Sequence, residues 1–346
     1  MIEKTQVKSI QQDKPAVMGQ QNVKPFLFKL MIFTLTVLII QIFVGPVISR
    51  FMAPRGIQWI QTLDNYLEDN VDVIFFGDST MTYTSKHDKD KRNIADILQS
   101  MNPNLSIKRV SHAAYHLDLY WKYCEYISRQ NNKPKVVIIP INLRSFSVGW
   151  DLAPNYQFEF EKALLSYGNR FLIRSFSRPL TIFNPFDEEG FREEFENALV
   201  YNGDQLLGKL QDYGNEANLS SNEKIKRSMI INYMYSLNES DRKVQSILEI
   251  VRLAKEGHFQ VIFYITPIDY QTGEQHLGAE FMERVRQNTE VINSLLIEQE
   301  VEVLDLSFGL EKTDLEWEGA PNEHLNEDGR KFLAEQLSVP LQKIIE

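Results

Sequence analysis

Residues 71–81 read VDVIFFGDSTM. Val71, Val73, Ile74, Phe75 and Phe76 make an apolar run of strand-forming residues, and the chain then breaks at Gly77-Asp78-Ser79. A short continuous apolar run ended by a turn signal reads as a strand buried on both faces. Glycine, aspartate and serine are ordinary turn residues, so a plain turn explains the break. A nucleophile presented on a strand-to-helix turn explains it as well. The choice rests on what the rest of the chain brings to the same place.

Outward from this stretch the pattern alternates. NIADILQSM (93–101) is helical, LSIKRVS (105–111) a strand and LDLYWKYCEYISRQ (117–130) an amphipathic helix. KVVIIPIN (135–142) is a third strand, and after a long interval SILEIVRLAKEG (246–257) is a helix ending at glycine. FQVIFYITP (259–267), FMERVRQNTEVINSLLIEQ (281–299), VEVLDLS (301–307) and GRKFLAEQLSVPLQKII (329–345) continue as strand, helix, strand, helix. Strands alternating with helices indicate an α/β fold, a flavodoxin-like three-layer sandwich around a mostly parallel five-stranded sheet. Residues 148–240 interrupt the alternation and are rich in aromatics, among them Trp150, Tyr156, Phe158, Phe160 and Phe195. They read as a helical insertion after strand three, with most of the rings in its own core and a minority near strand three available to line a substrate cleft.

The 346 residues carry a net charge of −10 and one cysteine, Cys124. The negative balance and the lack of a basic cluster exclude a nucleic-acid partner. One cysteine excludes a disulfide framework and a cysteine-rich zinc site within the chain. His112, His116 and His276 do not form a ligand pair with a third member, so no metal and no cofactor is expected. Residues 30–49, LMIFTLTVLIIQIFVGPVIS, are uncharged throughout. As a helix they would span about 30 Å, enough to cross a bilayer once. Lys4, Lys8, Lys14, Lys24 and Lys29 precede the run. The positive-inside rule then places residues 1–29 in the cytoplasm and everything from residue 50 onward outside. Residues 50–70 read as a connecting helix and 71–346 as the main domain.

In an open parallel sheet, ligands meet the carboxyl ends of the strands. Strand one delivers Gly77-Asp78-Ser79 there, strand two Ser111-His112-Ala113-Ala114-Tyr115, and strand three Pro140-Ile141-Asn142. The segment before the last helix, Pro321-Asn322-Glu323-His324-Leu325-Asn326, reaches the same rim. A serine hydroxyl becomes nucleophilic when a base takes its proton, and histidine suits that task near neutral pH. The oxyanion formed on attack needs fixed donors. The Ser79 backbone N–H, the Asn142 amide and a backbone N–H of the second loop are the candidates. Arg144, beside Asn142, is a candidate for holding an anionic substrate, with a plain surface arginine as the alternative.

These blocks resemble the SGNH (GDSL-type) hydrolase superfamily over residues 71–346. FFGDSTM is similar to the nucleophile block, IPINLRS to the asparagine block and NEHLNEDGRKFLAEQL to the histidine block. The resemblance implies Ser79 as nucleophile, His324 as base and Asn142 as oxyanion donor. Three departures stand out. No glycine follows strand two; Ala114 is the nearest equivalent, ahead of Tyr115, and its backbone N–H survives the exchange. Pro140 and Leu143 replace the usual glycine and aspartate around Asn142. Pro321 stands three before His324, where the family carries its triad aspartate. Glu318, Asn322 and Glu323 are the candidates for orienting the imidazole, and a Ser-His dyad is the other option.

The chain looks like anchored members of the superfamily, such as D-alanyl transfer proteins of teichoic acid synthesis and exopolysaccharide acetyltransferases. That implies a membrane-anchored serine esterase or O-acyltransferase acting outside the cytoplasm on an acylated envelope glycan. A multi-spanning membrane acyltransferase would be the donor partner. The competing expectation is a non-catalytic SGNH-like module that binds glycan or scaffolds polymer synthesis.

Overall fold

The computed structural model describes residues 23–43, 55–167, 187–213, 219–316 and 322–346. Two units separate, residues 1–52 and residues 53–346. In the first, helix α1 (Val23–Phe43) carries exposed apolar side chains, including Phe26, Phe28, Met31 and Phe33. The span expected over residues 30–49 therefore begins inside a helix that starts at Val23, and its remainder, from residue 44, lies outside the described residues. Among the described residues no helix is long and apolar enough to cross a membrane, so this structure does not support that span.

The second unit opens with α2 (Arg55–Glu68) and the strand β1 (Val73–Gly77). The short helix α3 (Ser79–Thr82), α4 (Ile94–Met101), β2 (Ile107–Ser111), α5 (Leu117–Ser128) and β3 (Val136–Ile141) follow. The insertion then holds α6 (Val148–Asp151), α7 (Glu159–Tyr167), α8 (Glu188–Asn197), the strands β4 (Leu199–Asn202) and β5 (Gln205–Lys209), and α9 (Ser221–Tyr233). The chain returns through α10 (Arg242–Gly257), β6 (Gln260–Ile265), α11 (Tyr270–Leu277), α12 (Ala279–Glu298), β7 (Val303–Asp305) and α13 (Glu327–Ile345).

The main sheet has the order β2-β1-β3-β6-β7, and all four of its pairings are parallel. Alternate residues of each strand face opposite sides. Val73, Phe75, Val136 and Ile138 join one core with Ile97 and Leu98 of α4 and Leu333 and Leu337 of α13. Ile74, Phe76, Val137 and Ile139 join the other with α5, α10 and α12. This is the expected three-layer arrangement, and its two faces explain why the strands read as unbroken apolar runs.

β1 and β3 pair only from Val73↔Val136 to Phe75↔Ile138, and the sheet then splits at its carboxyl edge. Pro140 lies beyond the last β1 pair, so its missing N–H removes no bond from that ladder. The split is the switch point of the strand order, where a ligand cleft forms.

The insertion is not wholly helical, which corrects the sequence expectation. β4 and β5 form an antiparallel hairpin. Gly203-Asp204 makes its two-residue turn, with Gly203 at φ +61° in the first central position, where a hairpin turn favours glycine. α10 ends at Gly257, as expected; the residue after it, His258, is left-handed (φ 58°), and Gly257 gives room to the Phe259 ring.

Candidate active site

β1 is buried along its whole length and ends at Gly77. A Cβ on Gly77 would lie 2.4 Å from Met81 Cε and 2.9 Å from Met81 Cβ. The glycine is required because α3 folds back over the strand end, rather than for a positive φ. Asp78 caps α3. Its Oδ1 accepts from the Thr80 N–H at 2.7 Å and from the Thr80 hydroxyl at 2.6 Å, and it is 1% exposed. Ser79 is thereby fixed at the first position of the helix, half-buried.

The second loop is tied to the first by the His112 N–H, which donates to Gly77 O at 3.2 Å. Tyr115 N–H to His112 O closes a turn in which Ala114 has φ +65°. A residue with a Cβ pays roughly 1–2 kcal/mol in this left-handed region, which glycine enters freely. Ala114 therefore holds a glycine's conformation at the place where the resemblance implies a glycine. Neither the Ser79 nor the Ala114 backbone N–H enters a hydrogen bond among the described residues.

Asn142, after β3, is buried at 5% exposure. Its Oδ1 accepts from Arg144 N–H at 3.0 Å. Its Nδ2 donates to Asp78 Oδ2 at 3.0 Å and to Glu323 Oε2 at 2.9 Å. One donor neighbour and two carboxylate neighbours fix the amide's orientation, and both of its N–H groups are taken. Asn142 thus ties three segments together and has no N–H left for an oxyanion in this arrangement.

Arg144 is the second residue of a short turn, Leu143–Phe146, capped by Asn142. The Leu143 carbonyl accepts from the Tyr235 hydroxyl at 2.6 Å, and Ser145 O accepts from the buried Lys243 Nζ. Lys243 also pairs with Asp151 at 2.9 Å, so the turn and α6 are anchored to α10. The Arg144 guanidinium lies over the Trp150 ring, 4.8 Å from its centroid. Its Nη1 is 4.0 Å from Glu323 Oε2.

Glu323 is 3% exposed, and its Oε1 accepts from the Tyr233 hydroxyl at 2.6 Å. Burial pushes its carboxyl up from the usual range, with Arg144, Tyr233 and Asn142 opposing the rise. His324 N–H donates to Asn322 Oδ1 at 3.1 Å, Glu316 N–H donates to His324 O at 2.8 Å, and the imidazole packs on Tyr83 at 4.7 Å. Burial lowers the imidazole pKa below its ordinary value; Asp78 and Glu316 oppose this and Arg144 adds to it. The fully buried Arg330 of α13 donates to Leu325 O at 3.0 Å, Asp88 Oδ2 at 2.8 Å and Asp90 O at 2.6 Å. It clamps the loop after Tyr83 to the segment that carries His324.

Ser79, Ala114, Arg144, Glu323 and His324 line one pocket of about 330 Å³. The insertion closes it with Trp150, Asn155, Tyr156 and Phe158. Of the residues singled out from sequence, Asn142 is set back behind the pocket wall as a tie, and Asn322 turns its Oδ1 to the His324 backbone. Glu318 lies outside the described residues. Trp150, Tyr156 and Phe158, the insertion aromatics nearest strand three, line the pocket, whereas Tyr233, buried behind it, was not legible as a site residue because aromatic content in the insertion signals a core before it signals a cleft. Among the described residues no group of acidic, histidine and cysteine side chains could hold a metal ion.

No family profile matches the sequence, and neither does any curated protein. Solved structures do overlap it. An acetylxylan esterase from Geobacillus stearothermophilus covers 79% of this chain and 94% of its own, at 15% identity and a TM-score of 0.39. An aryl esterase from M. smegmatis covers 79% and 98%, at 9% identity and a TM-score of 0.35. A carbohydrate acetylesterase family member from Sinorhizobium meliloti covers 79% and 98%, at 8% identity and a TM-score of 0.34. These are proteins the chain is similar to; its own chemistry has to come from the residues above.

Proposed function

We propose that this chain is a serine esterase of the SGNH type. One observation carries the reading. Ser79 and His324 come from opposite ends of the domain and line one pocket with Ala114, whose backbone stands in a glycine's conformation. In the reaction Ser79 Oγ attacks the ester carbonyl while the His324 imidazole takes its proton. The Ser79 and Ala114 N–H groups receive the oxyanion. The imidazolium returns the proton to the leaving alcohol, and an acyl-enzyme remains. Water, or a sugar hydroxyl in a transferase, then releases the acyl group by the same steps in reverse. A His324 held below its ordinary pKa is neutral, and so competent as a base, across the neutral range.

Single-pass anchoring, a catalytic domain outside the cytoplasm and an acylated envelope glycan as substrate belong to the same proposal. The uncharged run at 30–49 and the lysines before it support the first two. The glycan, the transferase option and a membrane acyltransferase partner rest on the resemblance alone.

A fluorophosphonate probe tests the chemistry. It should label the wild-type protein at Ser79 and fail on Ser79→Ala. Ser79→Ala and His324→Ala should each remove nearly all turnover of an aryl acetate. The double variant should be little worse than either, because residues acting as a unit are not additive. A second reading, a module that binds glycan without turnover, is favoured by one observation: both N–H groups of Asn142 are already committed to carboxylates. No labelling and no turnover in a folded wild-type protein that binds glycan would favour that reading instead.

A further inference from the structure

The Arg144 guanidinium is placed unusually. It lines the Ser79 pocket, and among the described residues its side chain donates no hydrogen bond. The Trp150 ring holds it flat from one side, a stacking that suits arginine and fixes its plane. Its one acidic partner among the described residues, Glu323, stands 4.0 Å off, beyond hydrogen-bond reach, and directs its oxygens to Tyr233 and Asn142. The side chain is 28% exposed, so the guanidinium stays open on its pocket side, while its Nε is buried without an acceptor among the described residues. The Trp150 indole N–H is in the same condition. It is buried, without an acceptor among the described residues, on a residue 8% exposed that lines the same pocket. Asn155 adds a carboxamide to the wall.

We propose that Arg144, braced by Trp150, forms an anion subsite beside Ser79, and that the ester substrate carries a carboxylate or phosphate on the unit that enters the pocket. The inference deepens the esterase reading and rests on it for the word substrate. A planar guanidinium with open N–H groups suits bidentate binding of either oxyanion. Glu323 does not forbid an anion there. Its charge is engaged by Tyr233 and Asn142, and burial pushes it toward the neutral form. A pocket of about 330 Å³ is at the small end of ligand sites and takes roughly one sugar unit.

The test separates binding from turnover. Methyl O-acetyl-glucuronoside, O-acetyl-glucose 6-phosphate and neutral methyl O-acetyl-glucoside are titrated calorimetrically into Ser79→Ala protein. One anionic sugar, at least, should bind about tenfold or more tightly than the neutral one, and added salt should weaken it. Whether the acid or the phosphate wins identifies the anion. Arg144→Gln in the same background should erase the difference and Arg144→Lys should keep part of it, with melting curves confirming that both are folded. Equal binding of anionic and neutral sugars, binding of neither, or discrimination that survives Arg144→Gln would overturn the subsite. With Ser79 restored, Arg144→Gln should raise KM for the anionic ester relative to the neutral one. An equal fall in kcat on both would make Arg144 an oxyanion donor instead and also overturn the proposal. Discriminating binding without any hydrolysis would sink the esterase reading and leave the subsite standing, whereas hydrolysis without discrimination would do the reverse.

Discussion

At the scale of single residues, His324 and Ala114 make the sharpest demands. Burial disfavours the charged imidazole, so His324 titrates below the ordinary histidine value of 6.5. The acid limb of kcat/KM for an aryl acetate should therefore lie below pH 6.5, with activity level above it. Arg144 contributes to that depression, so Arg144→Gln should move the limb upward. A limb at or above 6.5 in the wild type, measured across a pH series, would remove His324 from the role of base. Ala114 is strained at φ +65°. Glycine normally costs about 0.5–1 kcal/mol through its unfolded-state freedom, but here it would release strain of about 1–2 kcal/mol. Ala114→Gly should leave stability equal or up to about 1 kcal/mol higher in denaturant titrations, whereas Ala114→Val should lower it. The sequence identified Ala114 by its position after strand two. Its left-handed backbone was not legible, because the turn imposes that conformation against the residue's own preference.

Among the elements, α7 is held to α5 by an acid under unusual conditions. Glu161 of α7 is 5% exposed and accepts from the hydroxyls of Tyr115 and Tyr123. Burial pushes its pKa up to about 7, against the two hydroxyl bonds, from an ordinary 4.5. The folded state thus binds this proton more tightly than the unfolded chain. The stability so gained is fully present below 4.5 and is lost as pH rises through about 7. Glu161→Gln has no proton to lose. Its melting temperature relative to wild type should rise steadily between pH 5 and pH 8, and a constant difference would place the carboxylate in a less buried setting. Tyr115 follows Ala114 directly, so this contact also braces the left-handed turn at Ala114 against the insertion.

For the whole molecule, the site is a product of long-range assembly. The hydrogen bond from Asn142 to Glu323 joins residues 181 apart, and that from Asn142 to Asp78 joins residues 64 apart. Arg330 bonds to Asp88 across 242 residues and holds the loop after Tyr83 to α13. The proposed placement outside the cytoplasm is tested at this scale. A reporter active only outside the cytoplasm, fused after residue 346, should be active. Full activity of a cytoplasm-dependent reporter at the same position would refute the orientation and the envelope substrate with it.

The sequence by itself determined the five strands of the main sheet, their mostly parallel pairing and the two residues most exposed to chemical test. Val73 to Phe76 and Val136 to Ile141 are apolar without interruption because both sheet faces are covered, and that burial is written locally. Ser79 and His324 stood out through the turn after strand one, the segment before the last helix and the resemblance of both blocks, and the structure brings the two to one pocket. Tertiary structure alone decided the hairpin's place in the insertion, the engagement of Asn142 by two carboxylates and the raised pKa of Glu323. It also decided the stacking of Arg144 on Trp150. The reason is physical. An element's periodicity depends on its neighbours in the chain, but the partner of a polar side chain and the water it loses depend on atoms brought from remote segments.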